Sequence, residues 1–136
     1  MIDRRSPLRT VIVDDSPTFR SLLITYLNDE EAFAVVGSAA DAVEAEHVID
    51  LTDPDVVILD VHLPEASGLD VLDELRPRHE HTMFAVTSSD DTAEADALDH
   101  GADLYVDKLT PLDEMCESIL SVESEHRVAG LDARPQ

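Results

Sequence analysis

Three aspartates, a threonine and the only lysine of the chain are the residues whose types and positions could carry chemistry. Asp14 and Asp15 follow one apolar run, Asp60 ends a second, Thr87 ends a third and Lys108 follows a fourth. Carboxylates that lie close together raise one another's pKa unless a cation lies between them. A hard ion such as Mg²⁺ takes oxygen ligands of this kind. With an ammonium group beside the ion, the set could receive a phosphoryl group, whose transfer depends mainly on positioning and charge neutralisation.

The elements that would position these residues are five short apolar runs. The runs are nearly continuous in Val, Ile, Leu and Phe rather than alternating with polar residues. This pattern is typical of strands that are buried on both faces of a parallel sheet. The five predicted strands are Thr10–Asp14, Phe33–Gly37, Val56–Val61, Met83–Thr87 and Leu104–Asp107.

Segments with helical periodicity lie between and after these runs. Capping residues predict where four of the helices begin: Ser16 before Pro17, Asp41 with Glu44, Asp91 with Glu94, and Thr110 before Pro111. A fifth, short helix is predicted over about Gly68–Arg76 from its leucine spacing. The order is therefore strand then helix, five times over.

This alternation predicts an α/β fold, a (βα)5 open parallel sheet with helices on both faces. In such sheets the ligand chemistry lies beyond the carboxyl ends of the strands. Asp14, Asp15, Asp60, Thr87 and Lys108 all stand at predicted carboxyl ends. We therefore expect their side chains to converge on one rim of the sheet.

Composition limits the classes of protein and of partner. The 136 residues, 43% of them hydrophobic, suit one domain, which we predict over residues 1–127 with a frayed tail over 128–136. Asp and Glu total 31 against 9 Lys and Arg, a net charge of −22. Such a charge argues against direct binding of nucleic acid or of an anionic membrane. Acid enrichment with lysine depletion resembles proteins of organisms with a molar-salt cytoplasm, and predicts an origin in a halophilic archaeon.

The cysteine count and the apolar runs indicate the compartment. Cys116 is the single cysteine, so the chain has no internal disulfide. No apolar run approaches the roughly 18 residues of a membrane span, and the first ten residues lack an apolar signal segment. A cytoplasmic location is the expectation.

Four segments of the chain resemble the receiver domains of two-component response regulators, the family of the single-domain chemotaxis regulator. They are VIVDDSPTFR, PDVVILDVHLPEASGLDVL, FAVTSSD and GADLYVDKLTP, and together they extend from Val11 to Pro111. The resemblance implies phosphorelay signalling and a flavodoxin-like receiver fold. The chemotaxis regulator has the strand order 2-1-3-4-5, and the resemblance implies the same order here.

The resemblance also implies a role for each acidic residue of the rim. Asp60 would be the phospho-acceptor, which takes a phosphoryl group from a histidine kinase. Mg²⁺ would be bound directly by Asp15 and Asp60, through water by Asp14, and by the backbone carbonyl of His62. No catalysis is expected beyond phosphorylation and dephosphorylation of Asp60 itself.

Switching and output are implied in the same way. Lys108 would contact the phosphoryl oxygens, and the hydroxyl of Thr87 would donate a hydrogen bond to one of them. Tyr105 matches the aromatic residue that turns inward as Thr87 moves. The surface that binds a downstream protein target is expected on the fourth helix, fifth strand and fifth helix, roughly over Asp91–Glu123.

The sequence also gives predictions for several histidines and for the peptide bond after Lys108. The imidazole of His62 is predicted to face the phosphoryl group rather than to bind metal, because hard Mg²⁺ prefers oxygen. His47 is predicted to be structural, and the histidines around His79–His81 to be solvated in a loop. Many receivers carry a proline directly after the lysine, whereas Leu109 stands here, so the Lys108–Leu109 peptide bond is predicted to be trans.

Alternatives remain within and outside this family. The start at Met1 and the absence of a linker favour a stand-alone regulator over a receiver excised from a larger regulator or hybrid kinase. A flavin-binding flavodoxin-like protein is a distant alternative, since Asp14 and Asp15 would repel the FMN phosphate. An aspartate-nucleophile phosphatase is another, but it needs a second Asp where His62 stands.

Overall fold

Five parallel strands form the central sheet of the structure, a computed structural model that describes residues 6–133. Side-chain surroundings are described for residues 6–125 except Asp91. Along the chain the strands are β1 (Leu8–Val13), β2 (Phe33–Ala39), β3 (Val56–Asp60), β4 (Met83–Ser88) and β5 (Leu104–Asp107). Their order in the sheet is β2-β1-β3-β4-β5, so the predicted fold and strand order are confirmed.

Helices cover both faces of this sheet. They are α1 (Pro17–Asn28), α2 (Ala42–Thr52), α3 (Gly68–Leu75), α4 (Glu94–Asp99) and α5 (Leu112–Ala133). Short 3₁₀ turns at Arg76–Arg78 and Asp91–Ala93 follow α3 and precede α4. A two-residue ribbon, His62–Leu63 with Ala66–Ser67, lies in the connection between β3 and α3.

Two apolar cores lie on opposite faces of the sheet because neighbouring residues of a strand point to opposite sides. Val57 and Leu59 of β3 belong to the core under α2 and α3, where Ile49 and Leu72 are fully buried. Ile58 belongs to the other core, whose buried members on α1 and α5 are Leu23, Leu27, Met115, Cys116 and Ile119. Burial on both faces explains why the strand runs are continuously apolar.

Two of the predicted helix caps are confirmed. Ser16 Oγ accepts a hydrogen bond from the Phe19 amide (3.2 Å), and Asp41 Oδ1 accepts one from the Glu44 amide (2.8 Å). These side chains satisfy amide groups that have no partner within the first helical turn. Both helices therefore begin where the sequence predicted.

The predicted starts of α4 and α5 need correction. The 3₁₀ turn before α4 moves the cap one residue upstream of Asp91, so Asp90 Oδ1 accepts from the amide (3.0 Å) and hydroxyl (2.8 Å) of Thr92. At the last helix, the Met115 amide donates to the Pro111 carbonyl (3.0 Å) and the helix begins at Leu112.

The predicted tail over 128–136 stays a prediction. Helix α5 continues to Ala133, and residues 134–136 lie outside the described part of the chain. A lone Gly130 costs a helix about 1 kcal/mol relative to alanine, which is too little to end it. The domain limit at residue 127 stays a prediction.

Candidate functional site

Three carboxylates meet at the carboxyl end of the sheet. Asp14 directly follows β1, Asp15 follows it, and Asp60 is the last residue of the adjacent strand β3. One oxygen from each carboxylate lies within 4.8 Å of the others. Asp14 and Asp60 are buried, with 1% and 3% of their surface exposed, whereas Asp15 is open to solvent. The group is therefore a half-open acidic pocket.

The start of α1 holds Asp14 in place. Its Oδ1 accepts the Ser16 amide (2.9 Å), and its backbone carbonyl accepts a guanidinium N–H of Arg20 (2.7 Å). Its amide donates to the carbonyl of Ala39 on β2 (3.0 Å). The residues that cap and open α1 thus also fix the first acidic side chain of the pocket.

Asp60 is held between a backbone amide and an ammonium group. Its Oδ1 accepts the His62 amide (3.0 Å) and its Oδ2 lies 3.3 Å from Lys108 Nζ. Burial raises the pKa of Asp60, and the charge of Asp14 raises it further. The His62 amide and Lys108 lower this pKa but do not offset the rise. Ionised Asp60 is thus incompletely compensated by the protein.

Lys108 supplies the ammonium group of the pocket. Its Nζ lies 2.7 Å from Asp14 Oδ2 and 4.6 Å from the centre of the Phe19 ring. Burial alone would lower the pKa of Lys108, but hydrogen bonds and charge from Asp14 and Asp60 outweigh it, so this pKa is raised. The lysine is therefore charged at neutral pH. Among the described residues, Lys108 pairs with two of the three carboxylates, Asp14 and Asp60.

The connection after β3 is tied closely to the pocket. The Val61 amide donates to the Thr87 carbonyl (2.9 Å), and the Gly68 amide donates to the Val61 carbonyl (2.7 Å). A Cβ atom at Gly68 would overlap the backbone carbonyl oxygen of Asp60, so only glycine permits this approach. The sequence predicts Gly68 only as the first residue of α3, because the approach to Asp60 depends on the folded loop.

Thr87 lies beside Asp60 on the neighbouring strand, in direct register with it. It is 1% exposed, and its hydroxyl makes no hydrogen bond within the described part of the chain. Tyr105 lies outside the cluster: its hydroxyl donates to the Asp90 carbonyl (2.8 Å), in the connection between β4 and α4. His62 is exposed at the rim.

These residues suit an oxyanion held by a divalent ion. Asp14 Oδ2 has the Lys108 ammonium at 2.7 Å as its partner. The buried Thr87 hydroxyl makes no hydrogen bond in the described part of the chain. Buried polar groups are normally satisfied, so the Thr87 hydroxyl points to a group that binds from outside the chain. Three carboxylate oxygens in this arrangement are a suitable donor set for Mg²⁺.

The family comparison agrees with this geometry. Residues 10–120 match the model of a family described as the response regulator receiver domain. The chain is 39% identical over 100 residues to a protein-glutamate methylesterase/protein-glutamine glutaminase of Rhizobium etli. That alignment covers 71% of this chain and 29% of the relative, so the chain spans less than a third of that relative's length.

Solved structures give the same picture. A LuxR-family two-component response regulator from Aurantimonas sp. SI85-9A1 superposes with a TM-score of 0.82 at 27% identity, over 88% of this chain and 87% of that one. A CheX–CheY–BeF3–Mg²⁺ complex from Borrelia burgdorferi gives 0.74 at 25% identity, over 85% and 89%. In the described residues, no helix has both the length and the apolar character needed to cross a membrane.

Proposed function

The chain belongs to the response regulator receiver domain family of two-component signalling, and we propose that Asp60 accepts a phosphoryl group from a phosphohistidine of a histidine kinase. The observation that carries the proposal is the placement of Asp60. It is a buried carboxylate beside Asp14 and Asp15 that directs one oxygen toward the single lysine.

The transfer is a nucleophilic substitution at phosphorus. A carboxylate oxygen of Asp60 forms the new P–O bond while the P–N bond to the kinase imidazole breaks, and the imidazole leaves with the electron pair of that bond. Lys108 and the Thr87 hydroxyl would stabilise the phosphoryl oxygens, since one is a nearby cation and the other an unused donor. The product is an acyl phosphate on Asp60.

Mg²⁺ fits the acidic part of this site. Asp15 and Asp60 would bind it directly, Asp14 through water, and the backbone carbonyl of His62 would complete the protein ligands. When bound, the ion neutralises charge on the phosphoryl oxygens. The burial of Asp14 and Asp60 and their hydrogen bonds to backbone amides support a site whose ligands are positioned in advance.

Output is proposed through the surface formed by α4, β5 and α5. Phosphorylation would favour the state in which Thr87 contacts the phosphoryl group and Tyr105 turns inward, away from Asp90. The Tyr105–Asp90 hydrogen bond supports this proposal because it joins β5 to the connection that leads into α4. A downstream protein would bind the switched surface more tightly.

The same chemistry serves a stand-alone regulator or a receiver module of a larger one. The curated relative from Rhizobium etli is more than three times as long as the aligned segment, which supports the modular alternative. The methylesterase activity belongs to that relative. We propose no enzymatic activity for this chain beyond phosphorylation and dephosphorylation of Asp60, and we propose that it works in a salt-rich cytoplasm.

The proposal is tested by intact mass spectrometry after incubation with acetyl phosphate and Mg²⁺ in molar KCl. Wild type and an Asp113→Asn control, altered at an exposed position of α5, should gain one phosphoryl group that hydroxylamine removes. Asp60→Asn should gain none, and Asp15→Asn should gain far less at the same Mg²⁺ concentration.

Two outcomes would contradict the proposal. An adduct of equal yield on Asp60→Asn would place the nucleophile elsewhere. No adduct on folded wild type, either from acetyl phosphate or from a phosphorylated histidine kinase domain, would mean that the pocket does not accept a phosphoryl group.

A further inference from the structure

A buried histidine lies at the end of the sheet opposite to the acidic pocket. His79 follows the 3₁₀ turn after α3, in the connection that leads to β4, and only 7% of its surface is exposed. The expectation that it is solvated is therefore wrong for His79, whereas His81, two residues later, is exposed as predicted. The tertiary structure covers His79 with the C-terminal end of α2.

Both ring nitrogens of His79 contact carboxylates. Nε2 lies 2.7 Å from Asp50 Oδ1 on α2, and Nδ1 lies 2.9 Å from Asp53 Oδ1, the residue that ends that helix. Ionised carboxylates only accept hydrogen bonds. A neutral imidazole has one N–H and cannot donate on both sides, so this geometry requires the imidazolium form.

The two carboxylates differ in their surroundings. Hydrogen bonds from His79 and then Arg78 lower the pKa of Asp50. The side chain of Asp53 is 77% exposed, so it lies in contact with solvent. Asp50 is therefore the more strongly held acceptor of the two.

Other charged groups face His79 from each packed element. Arg78 lies 2.6 Å from Asp50, and it also approaches Glu46 of α2 (3.9 Å) and Glu74 of α3 (3.3 Å). From β1, the guanidinium of Arg9 donates to the Asp53 carbonyl (3.0 Å). Burial alone would lower the pKa of His79, but the hydrogen bonds that its ring donates to Asp50 and Asp53, and the charges of these carboxylates, outweigh burial and raise that pKa above the ordinary value.

The backbone around His79 is also fixed. Its amide donates to the Leu75 carbonyl (3.0 Å), and its carbonyl accepts the Thr82 amide (3.0 Å). Asp53 adopts a left-handed conformation, with φ at 45°, at the end of α2. The ring thus joins two chain segments that are 26 to 29 residues apart in sequence.

We propose that His79, as an imidazolium, ties the end of α2 to the connection between α3 and β4, and that this tie is released when pH rises. Because the folded state holds the proton more tightly than the unfolded chain, the stabilisation is complete below the unfolded pKa of about 6.5. It is lost as pH rises through the higher folded pKa. The tie also weakens in strong acid, where Asp50 takes up a proton.

The direct test is a ¹⁵N NMR titration of the histidine rings of wild type at 0.1 M and 2 M KCl. We expect both nitrogens of His79 to be protonated below a titration midpoint that lies above 6.5. A midpoint at or below 6.5 would overturn the proposal. This measurement needs no variant, so it does not depend on whether a substituted chain folds.

Thermal unfolding of variants tests the consequence. His79→Gln should lower Tm at pH 6, and the difference from wild type should shrink as pH rises through the His79 midpoint. Asp50→Asn should move that midpoint down, whereas the exposed control His81→Gln should follow the wild-type profile. A His79→Gln difference that stays constant with pH would mean that the ring acts by packing alone.

Phosphorylation separates this inference from the proposed function. His79→Gln should gain the phosphoryl group of Asp60 as wild type does, because the tie lies at the other end of the sheet. Loss of phosphorylation in folded His79→Gln would contradict that separation, while the NMR titration would still decide the charge state of the ring.

Discussion

The two ends of the sheet differ in how far their charged side chains are paired within the protein. At the carboxyl end, Asp14, Asp15 and Asp60 face a single ammonium group. At the amino end, Arg76 pairs with Asp103 (2.9 Å), and Arg78 and His79 contact carboxylates of α2, α3 and Asp53. The guanidinium of Arg9 donates to the Asp53 carbonyl (3.0 Å). The five Lys and Arg side chains that the structure describes are Arg9, Arg20, Arg76, Arg78 and Lys108.

The difference separates a binding site from a structural network. Paired charges at the amino end satisfy one another, so they stabilise loops without a ligand. At the carboxyl end, excess negative charge costs stability until a cation binds. Three of the described arginines of this strongly acidic chain therefore lie at the amino end, where they join loops. The acidic pocket at the carboxyl end has more carboxylates than cations. Substitutions at the two ends should therefore have different consequences.

Mg²⁺ binding should change the free energy of unfolding more than any substitution described below, and it should act only through the acidic pocket at the carboxyl end. At a concentration 100 times its Kd, a ligand that binds only the folded state stabilises it by about 2.7 kcal/mol. Urea unfolding with and without Mg²⁺ should show this gain in wild type and lose it in Asp15→Asn. Asp103→Asn, an acidic control at the amino end, should keep the gain. A gain that persists in Asp15→Asn would place the ion elsewhere.

Arg76→Met should lower the free energy of unfolding, because it removes the Arg76–Asp103 ion pair at the amino end of the sheet. Arg76 donates to Asp103 and to the Thr82 carbonyl (2.9 Å), and its guanidinium lies 5.3 Å from the centre of the Phe84 ring. Because Asp103 is only 16% exposed, its unpaired charge should cost about 2 kcal/mol in urea unfolding. Arg78→Met, at a 41% exposed side chain, should cost clearly less than Arg76→Met, because solvent screens the charges of its ion pairs. Equal costs would show that burial of the pair is unimportant.

Asp60→Asn should stabilise the metal-free protein by on the order of 1 kcal/mol, since it removes an undercompensated charge. The folded pKa of Asp60 is raised above the unfolded value. The wild-type penalty is therefore absent below the unfolded pKa, grows as pH rises through the folded pKa and is constant above it. Urea unfolding in EDTA from pH 3.5 to 8 checks this profile. Reduced stability of Asp60→Asn at pH 8 would contradict it.

Glycine substitutions at the two left-handed residues should give the smallest effects, with opposite signs. Glu65, with φ at 62°, follows Pro64 in the ribbon beside the pocket. A left-handed conformation costs a residue other than glycine about 1–2 kcal/mol of folding stability. Glycine avoids this cost but loses more backbone entropy on folding, so Glu65→Gly should raise the free energy of unfolding by about 0.5 kcal/mol. Asp53→Gly loses the contact with His79 and should lose about 0.5 kcal/mol. Thermal unfolding at pH 6 compares them, and equal signs would contradict the assigned roles.

Local patterns in the sequence predicted most of the fold. Continuous apolar runs predicted the strands because both sheet faces are covered, and Ser16 and Asp41 predicted helix starts because capping is a local interaction. The convergence of Asp14, Asp15 and Asp60 was also predictable, since parallel strands bring their carboxyl ends to one edge. Their roles in phosphoryl transfer stay predictions.

Contacts between distant segments were decided only by the tertiary structure. Nothing local in the sequence distinguishes His79 from His81, because burial of His79 depends on the end of α2 that packs over it. Gly68 is required by the backbone of Asp60, and the 3₁₀ turn before α4 moved the cap from Asp91 to Asp90. Periodicity and capping act within a few residues and can be read along the chain. Close approach and charge pairing arise only when separate loops are brought together.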